Sequence, residues 1–193
     1  MTNNYMPAIK QQFWPRAAGR DVWAVVDGAR DRAIYGALLD SYLNYSCLYH
    51  GELAPELELA APYLVQLEYD DSYSIKLIER AWGNSWGIFL KCDSSMDSLR
   101  RHLRTLLTVR DQKGSLLLFR YYDPRVLRVY LPTCWEDELK IVYGPIDRFW
   151  MEDQTPETML EFRSARGKLL SKEIPLSPDA ALTQGAGNEV RAL

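Results

Sequence analysis

A nine-residue run, Phe-Arg-Tyr-Tyr-Asp-Pro-Arg-Val-Leu at 119–127, constrains the fold more than any other stretch. The segment from Ser115 to Tyr122 is apolar, aromatic and rich in residues that favour strands. Asp123 is a typical N-cap residue, and proline suits the first helical turn because its missing N–H would be unpaired there. The run therefore predicts a strand that ends at Asp123 and leads directly into a helix at Pro124.

The same junction concentrates charge. Arg120 lies within the apolar strand and Arg125 lies just inside the helix, so two guanidinium groups flank the Asp123 carboxylate. Alternation along the strand predicts that Arg120 is half-buried, and a buried guanidinium needs partners for its donors. Two interpretations remain open: a structural ion pair with Asp27, Asp123 or Asp147, or recognition of an acidic partner segment.

Composition predicts a soluble protein with a core of its own. The chain has 193 residues, of which 47% are hydrophobic, and a chain of this length buries roughly 70% of its unfolded surface. Its three cysteines are widely spaced, which argues against a disulfide framework or a zinc ribbon. No export-signal pattern and no apolar stretch of about 20 residues is visible, so we expect a cytoplasmic location.

The net charge of −3 argues against a general nucleic-acid binder, yet it hides an uneven distribution. Asp21–Arg80 contains eleven acidic and four basic residues, whereas Lys91–Arg128 contains nine basic and four acidic residues. We therefore expect a dipolar molecule.

The clearest helix lies in the basic part and opens at Ser94 or Ser95. Leucines occupy one side, and Arg100, Arg101 and Arg104 lie largely on the other. The arginines lack interleaved aromatic residues, and no nucleic-acid-binding module is recognisable. This helix therefore predicts a basic face for an acidic protein partner.

Short strands and helices follow one another along the chain, which predicts an α/β (mixed α+β) fold. We expect a mixed sheet flanked by helices, with an antiparallel hairpin formed by Leu107–Arg110 and Ser115–Tyr122 around Gly114. Thr155-Pro156-Glu157 resembles a helix start, so a last helix to about Arg166 is predicted. The expected division is an α/β domain over 1–153, a C-terminal helical extension over 154–176 and a flexible tail over 177–193.

The hexapeptide Trp82-Gly83-Asn84-Ser85-Trp86-Gly87 predicts an abrupt turn from a helix into a strand. Its glycines remove the Cβ clash, and Gly83 stands where a helix often ends in a left-handed residue. The simplest interpretation packs both indoles in the core. Partial exposure of Trp82 or Trp86 would instead favour a contact patch, because tryptophan is over-represented at binding hot spots.

No catalytic pattern is evident in the sequence. Asp27-Gly28-Ala29 follows the first strand, where open α/β sheets often bind ligands, but it lacks the second acid of a phosphotransferase-type site. Neither His50 nor His102, which we place on a solvated face, has a motif serine or cysteine to serve. We expect no cofactor, no metal and no enzymatic activity; a small hydrolase that uses Asp27 and Asp123 is the alternative.

Seven short blocks occur in a defined order. They are Asp27–Arg30, Leu48–Leu53, Ala61–Val65, Trp82–Gly87, Leu99–Leu103, Phe119–Leu127 and Gly144–Ile146. From about Val22 to Asp153 this order resembles the adaptor chaperones of bacterial type VI secretion, a family catalogued as domain of unknown function 4123 (DUF4123). The Trp82–Gly87 and Phe119–Leu127 blocks are specific when taken together.

The resemblance implies a protein that binds a toxic effector, often at the effector's N-terminal region. It also implies that the protein helps load the effector onto the VgrG spike without being exported and without being an enzyme. An immunity-type inhibitor of a toxin is a further alternative, and the segment after Asp153 is a hypothetical place for partner-specific contacts.

The residues expected to carry these roles fall into two sets. The partner-binding set is Trp82, Trp86, Arg120, Tyr122, Asp123, Arg125, Arg100, Arg101 and Arg104. The structural set is Asp27, Gly28, Gly83, Ser85, Gly87, Phe119 and Pro124. The motif residues in both sets are open to two interpretations: they define the fold of the family, or they form its binding surface.

Overall fold

The computed structural model describes residues 5–17, 21–111, 113–176 and 191–192. The helices are α1 Met6–Phe13, α2 Ala33–Leu39, α3 Pro55–Ala60, α4 Ser72–Ala81, α5 Met96–Thr105, α6 Pro124–Tyr130 and α7 Glu136–Tyr143, with a 3-10 turn at Leu131–Thr133. The strands are β1 Val22–Asp27, β2 Tyr45–Cys47, β3 Pro62–Leu67, β4 Gly87–Lys91, β5 Thr108–Arg110, β6 Leu116–Leu118, β7 Arg148–Glu152, β8 Thr158–Ala165, β9 Lys168–Pro175 and β10 Arg191–Ala192.

Eight strands form the main sheet, in the order β10-β9-β8-β7-β4-β1-β3-β2, and β5 and β6 form a separate two-stranded sheet. The predicted mixed α+β class is confirmed. The pairing within the sheet differs from the expectation of a mixed sheet, because each pair of neighbouring strands is antiparallel.

Helices cover both faces of the central strands, so the fold has three layers. Trp23 and Val25 of β1 point to a core shared with α5, α6 and α7. Ala24 and Val26 point to the opposite core, shared with α1, α2 and α4. All six residues of β1 are buried, which places this strand at the centre of the molecule.

Side-chain caps set three of the helix starts, and those at Ser95 and Asp123 are the caps that the sequence predicts. The Asp71 carboxylate accepts a hydrogen bond from the Ser74 amide at 2.6 Å, and the Ser95 hydroxyl accepts one from the Ser98 amide at 3.3 Å. The Asp123 carboxylate accepts one from the Arg125 amide at 3.0 Å, so the predicted cap of α6 is confirmed. The strand before this cap is shorter than predicted, since β6 ends at Leu118 and a turn covers 119–123.

The predicted C-terminal helix over 154–176 is wrong. Thr158–Ala165 and Lys168–Pro175 form an antiparallel hairpin that extends the main sheet beside β7. Arg166 and Gly167 form its two-residue turn with φ of 52° and 76°, as a tight hairpin requires. Thr155 therefore precedes a strand and does not cap a helix. The apolar residues that follow it, Met159 and Leu160, pair with β7 in the sheet.

The expected flexible tail over 177–193 lies largely outside the described residues. Of this segment, Arg191–Ala192 is described and pairs with β9. In the described ranges, no helix combines the length and the apolar character needed to cross a bilayer.

Candidate functional site

Three of the sequence motifs meet at one edge of the main sheet. Asp27 ends β1, Gly87 begins β4 and Glu152 ends β7, so antiparallel pairing brings these three positions to the same edge. The Asp27 amide donates to the Trp86 carbonyl at 2.7 Å, which joins the first motif to the second. The turn at 119–123 adds the third motif. We call this group the strand-end cluster: Asp27, Arg120, Asp123, Arg125, Glu152 and the loop 82–87.

Arg120 forms an ion pair with Asp27, one of the partners that the sequence suggested. The Asp27 carboxylate is 1% exposed and the Arg120 side chain is 40% exposed, so the pair closes over the carboxylate and leaves part of the guanidinium in solvent. The hydrogen bond to Asp27 is the main cause of a raised pKa of Arg120. The Ala29 amide also donates to the Asp27 carboxylate, at 3.2 Å.

Asp123 is held by Arg125 in a two-point contact. Arg125 Nε donates to one carboxylate oxygen at 2.9 Å and Nη2 donates to the other at 2.6 Å. Burial alone would raise the pKa of Asp123, but the hydrogen bonds and charge of Arg125, aided by the charge of Arg120, outweigh burial and lower this pKa. Asp123 therefore combines a helix cap with an ionic contact, and its carboxylate stays charged.

Glu152 is the member of the cluster that the sequence did not suggest. It is buried, and its carboxylate accepts hydrogen bonds from the Gly83 amide, the Ser85 amide at 2.9 Å and the Ser85 hydroxyl at 2.8 Å. Gly83 and Ser85 both have positive φ, of 83° and 53°. These conformations turn the amides of the loop inward, as in backbone nests that bind anions. Here the bound anion is the protein's own side chain.

The two tryptophans of the loop are core residues. Trp82 is 3% exposed and Trp86 is 4% exposed, so the packing interpretation is supported and the exposure that would favour a contact patch is not present. Trp82 Nε1 donates to the Pro156 carbonyl at 2.9 Å. Arg80 lies over the Trp86 ring, 4.9 Å from its centroid, which shields that indole from solvent.

The aromatic residues of the third motif are likewise internal. Tyr122 is buried, and Phe119 packs against Tyr130 with ring centroids 4.6 Å apart. Burial is the largest cause of a raised pKa of Tyr122. Of the residues expected to bind a partner in this motif, Arg120 and Arg125 retain an exposed portion.

The arginines of α5 do not form the solvated basic face that the sequence predicted. Arg104 donates to the carbonyls of Leu48 at 3.0 Å, Cys47 at 3.1 Å and Tyr49 at 2.6 Å, which ties α5 to the segment after β2. Arg100 donates to the Ser46 hydroxyl at 2.6 Å. Arg101 remains exposed. Two of the three side chains therefore serve the fold, because they bind β2 and the two residues that follow it.

His102 also differs from its predicted place on a solvated face. It is half-buried, with Nε2 3.0 Å from the Val142 carbonyl, and burial is the main cause of its lowered pKa. The ring packs beside Gly144, whose missing Cβ provides the room.

The strand-end cluster is thus closed by its own hydrogen bonds. The three carboxylates, of Asp27, Asp123 and Glu152, are each bound by an arginine or by backbone amides. A carboxylate held in this way is poorly placed to act as a general base, because its lone pairs already accept hydrogen bonds from the protein. The arrangement is suited to fixing the positions of β1, β4, β7 and α6.

We expect Arg120→Ala to lower the free energy of unfolding by about 2 kcal/mol, because it leaves the buried Asp27 carboxylate without its cation. The value lies below that of a fully buried pair since Arg120 is 40% exposed and water can replace part of the contact. Urea unfolding measures the change. Asp27→Asn in the same chain should restore part of the loss, and Arg101→Ala, at an exposed site, should change stability by less than about 0.5 kcal/mol. Equal losses in the two single arginine variants would contradict the structural role.

The family described as domain of unknown function (DUF4123) matches residues 22–140, more than half of the 193-residue chain. The chain belongs to the DUF4123 family. No curated protein and no solved structure matches the chain. The DUF4123 match contains Asp27, the loop 82–87, Arg120 and Asp123, whereas Glu152 lies beyond it.

No sequence pattern links Glu152 to the loop 82–87. Its donors, Gly83 and Ser85, lie 69 and 67 positions earlier in the chain, so no local pattern connects them. The one local feature of Glu152 is its position directly after the apolar run Phe149–Met151. An acidic residue in that position is ordinarily interpreted as a solvent-facing residue at the end of a strand. In this chain, a residue outside the matched range therefore completes the hydrogen bonding of the loop 82–87.

Proposed function

We propose that the chain is a cytoplasmic adaptor that binds a type VI secretion effector and assists its loading onto the VgrG spike. The proposal rests on membership of the DUF4123 family, together with the resemblance of the motif blocks to adaptor chaperones of that system. The observation that carries it is the contrast between a closed ionic cluster and exposed apolar side chains elsewhere on the surface.

The exposed apolar side chains are numerous for a protein of this size. They include Leu39, Tyr42, Leu57, Leu116, Leu117, Leu118, Val129, Trp135 and Ile141. Single exposed apolar residues are ordinary, whereas three adjacent exposed leucines form a patch of the kind found where another protein binds. A protein partner therefore accounts for the exposure of Leu116, Leu117 and Leu118 better than a small substrate does.

The hydrolase alternative gains no support from the geometry. Asp27 is paired with Arg120 and Asp123 with Arg125, so a water-activating role would require both ion pairs to open. An immunity-type inhibitor would use a protein-binding surface as well, so experiment must separate it from an adaptor.

Co-expression tests the proposal. The tagged chain is expressed with the products of the genes that flank its own, and complexes are isolated by affinity and size-exclusion chromatography. We expect a stable complex with an effector-type product, and loss of that effector's secretion when the gene for this chain is deleted. Absence of any complex would contradict the proposal. Protection of recipient cells with effector secretion unchanged would point to the immunity-type alternative.

A further inference from the structure

The β5–β6 hairpin differs from the other strands of the described residues because both of its faces are exposed. All six residues of Thr108–Arg110 and Leu116–Leu118 are exposed. Leu116 is 62% exposed, Leu117 is 49% exposed and Leu118 is 55% exposed, although adjacent strand residues point to opposite faces. A run of three exposed apolar residues in a strand is unfavourable in water unless another surface covers it.

The backbone of β6 has an open edge beside these leucines. Phe119 donates its amide to the Leu107 carbonyl at 2.8 Å, and Asp111 donates its amide to the Ser115 carbonyl at 3.0 Å. Because hydrogen-bonded pairs alternate in an antiparallel ladder, the amides and carbonyls of Leu116 and Leu118 point away from β5. In the described part of the chain, β6 pairs with β5 alone.

The hairpin is nevertheless held in a defined shape. At its base, Leu107 is buried and Phe119 stacks on Tyr130. At its tip, the Asp111 carboxylate accepts hydrogen bonds from the amides of Lys113 and Ser115, both at 2.8 Å. An edge that is fixed before binding loses less conformational entropy when a strand is added.

Charge around the hairpin selects the kind of segment that fits. Positions 100–113 contain five basic residues and one acidic residue, and the acidic residue, Asp111, is occupied by the turn. Arg101, Arg110 and Lys113 are exposed. A second copy of this hairpin would bring the same cations together, so self-pairing is unfavourable, whereas an acidic segment would be attracted.

We propose that the open edge of β6 receives an extended segment of the bound effector as an added strand. The segment presents apolar side chains on the face of Leu116 and Leu118. At its end beside the loop, acidic side chains meet Arg110, which is paired with Leu116 on that face, and Lys113 in the loop. The inference rests on the proposed adaptor function and specifies where and how the effector binds. It also assigns a role to a hairpin whose residues, Phe119 apart, stand outside both sets of site residues predicted from the sequence.

The test uses the full chain and the effector-type product that binds it in co-expression. Leu116→Ser/Leu118→Ser removes the two side chains on one face of the open edge. We expect its dissociation constant for the effector to rise at least about tenfold while its melting temperature stays unchanged, because both residues are exposed. The matched control is Val129→Ser/Ile141→Ser, at 66% and 64% exposed positions outside the hairpin, for which unchanged affinity is expected.

Two further variants separate strand addition from simple apolar contact. Leu116→Pro removes an amide that points to the open edge, so it should weaken binding more than Leu116→Ser does. Arg110→Glu/Lys113→Glu should weaken binding and reverse its dependence on salt concentration. A wild-type chain that binds no flanking product overturns the proposed function and the inference with it. Wild-type affinity in the leucine variant, with a complex present, overturns the inference alone.

Discussion

We expect Gly87→Ala to lower the free energy of unfolding by more than about 3 kcal/mol, the largest effect of any substitution considered for this chain. A Cβ at position 87 would overlap the Val25 carbonyl oxygen and lie 2.8 Å from the Val26 Cα. Both are backbone atoms of β1, the fully buried central strand, and cannot rotate away as a side chain would. The overlap would therefore separate β4 from β1, and thermal or urea unfolding would report it.

Gly36 supplies the matched control for this glycine. It lies within α2, and among the described residues no atom beyond its own stretch of helix lies within 4 Å of the position its Cβ would take. Gly36→Ala should raise stability by about 0.5–1 kcal/mol, because alanine costs less conformational entropy than glycine in a helix. A Gly87→Ala chain as stable as the wild type would contradict the close contact of β1 with β4, on which the strand-end cluster depends.

Local chemistry explains which parts of the fold could be predicted from the sequence. The caps at Ser95 and Asp123 act within three residues, so their side chains and the adjacent apolar runs were sufficient to locate the starts of α5 and α6. Gly83 and Gly114 have φ of 83°, as their places at a helix end and in a hairpin loop required.

Contacts between residues that are distant in the sequence could not be predicted from local patterns. The arginines of α5 have helical spacing on a polar face, yet the fold brings β2 alongside and Arg104 binds its carbonyls. The β8–β9 hairpin was missed because Thr155-Pro156-Glu157 is compatible with both a helix start and a turn before a strand. Only the pairing of β8 with β7 decides between them.

The candidate site also combines features that local sequence predicts with features that only the fold determines. The association of Arg120 with Asp27 was one of three suggested pairings, because charge alone could not choose among acids distant in sequence. The exposure of Leu116–Leu118 was opposite to the expectation for an apolar strand, which usually predicts burial. That departure is what makes the hairpin informative about function, since local pattern and fold disagree most often where a partner is needed.

We expect Glu152→Ala to lower the free energy of unfolding by about 3 kcal/mol. The substitution removes the buried carboxylate that three donors share, namely the Gly83 amide, the Ser85 amide and the Ser85 hydroxyl, and these donors are only partly accessible to water. Each unsatisfied buried donor costs about 1–3 kcal/mol, and partial entry of water reduces the sum. The loop also holds Ser85 at φ of 53°, a conformation that serine adopts at a cost and that the carboxylate stabilises. Urea unfolding measures the loss, and faster amide exchange at positions 83–85 would locate it.

Two variants sharpen the interpretation of Glu152. Glu152→Gln keeps the size of the side chain but offers one oxygen in place of two, so one donor would face an amide NH₂ and an intermediate loss is expected. Glu173→Ala removes a carboxylate from an exposed position of β9 in the same sheet and should change stability by less than about 0.5 kcal/mol. If Glu152→Gln retained full stability while abolishing a measurable turnover, the carboxylate would be a catalytic group and the adaptor proposal would fail. Loss of stability, with effector affinity preserved in the folded fraction, is the result expected of a residue that fixes the fold and does not contact the effector.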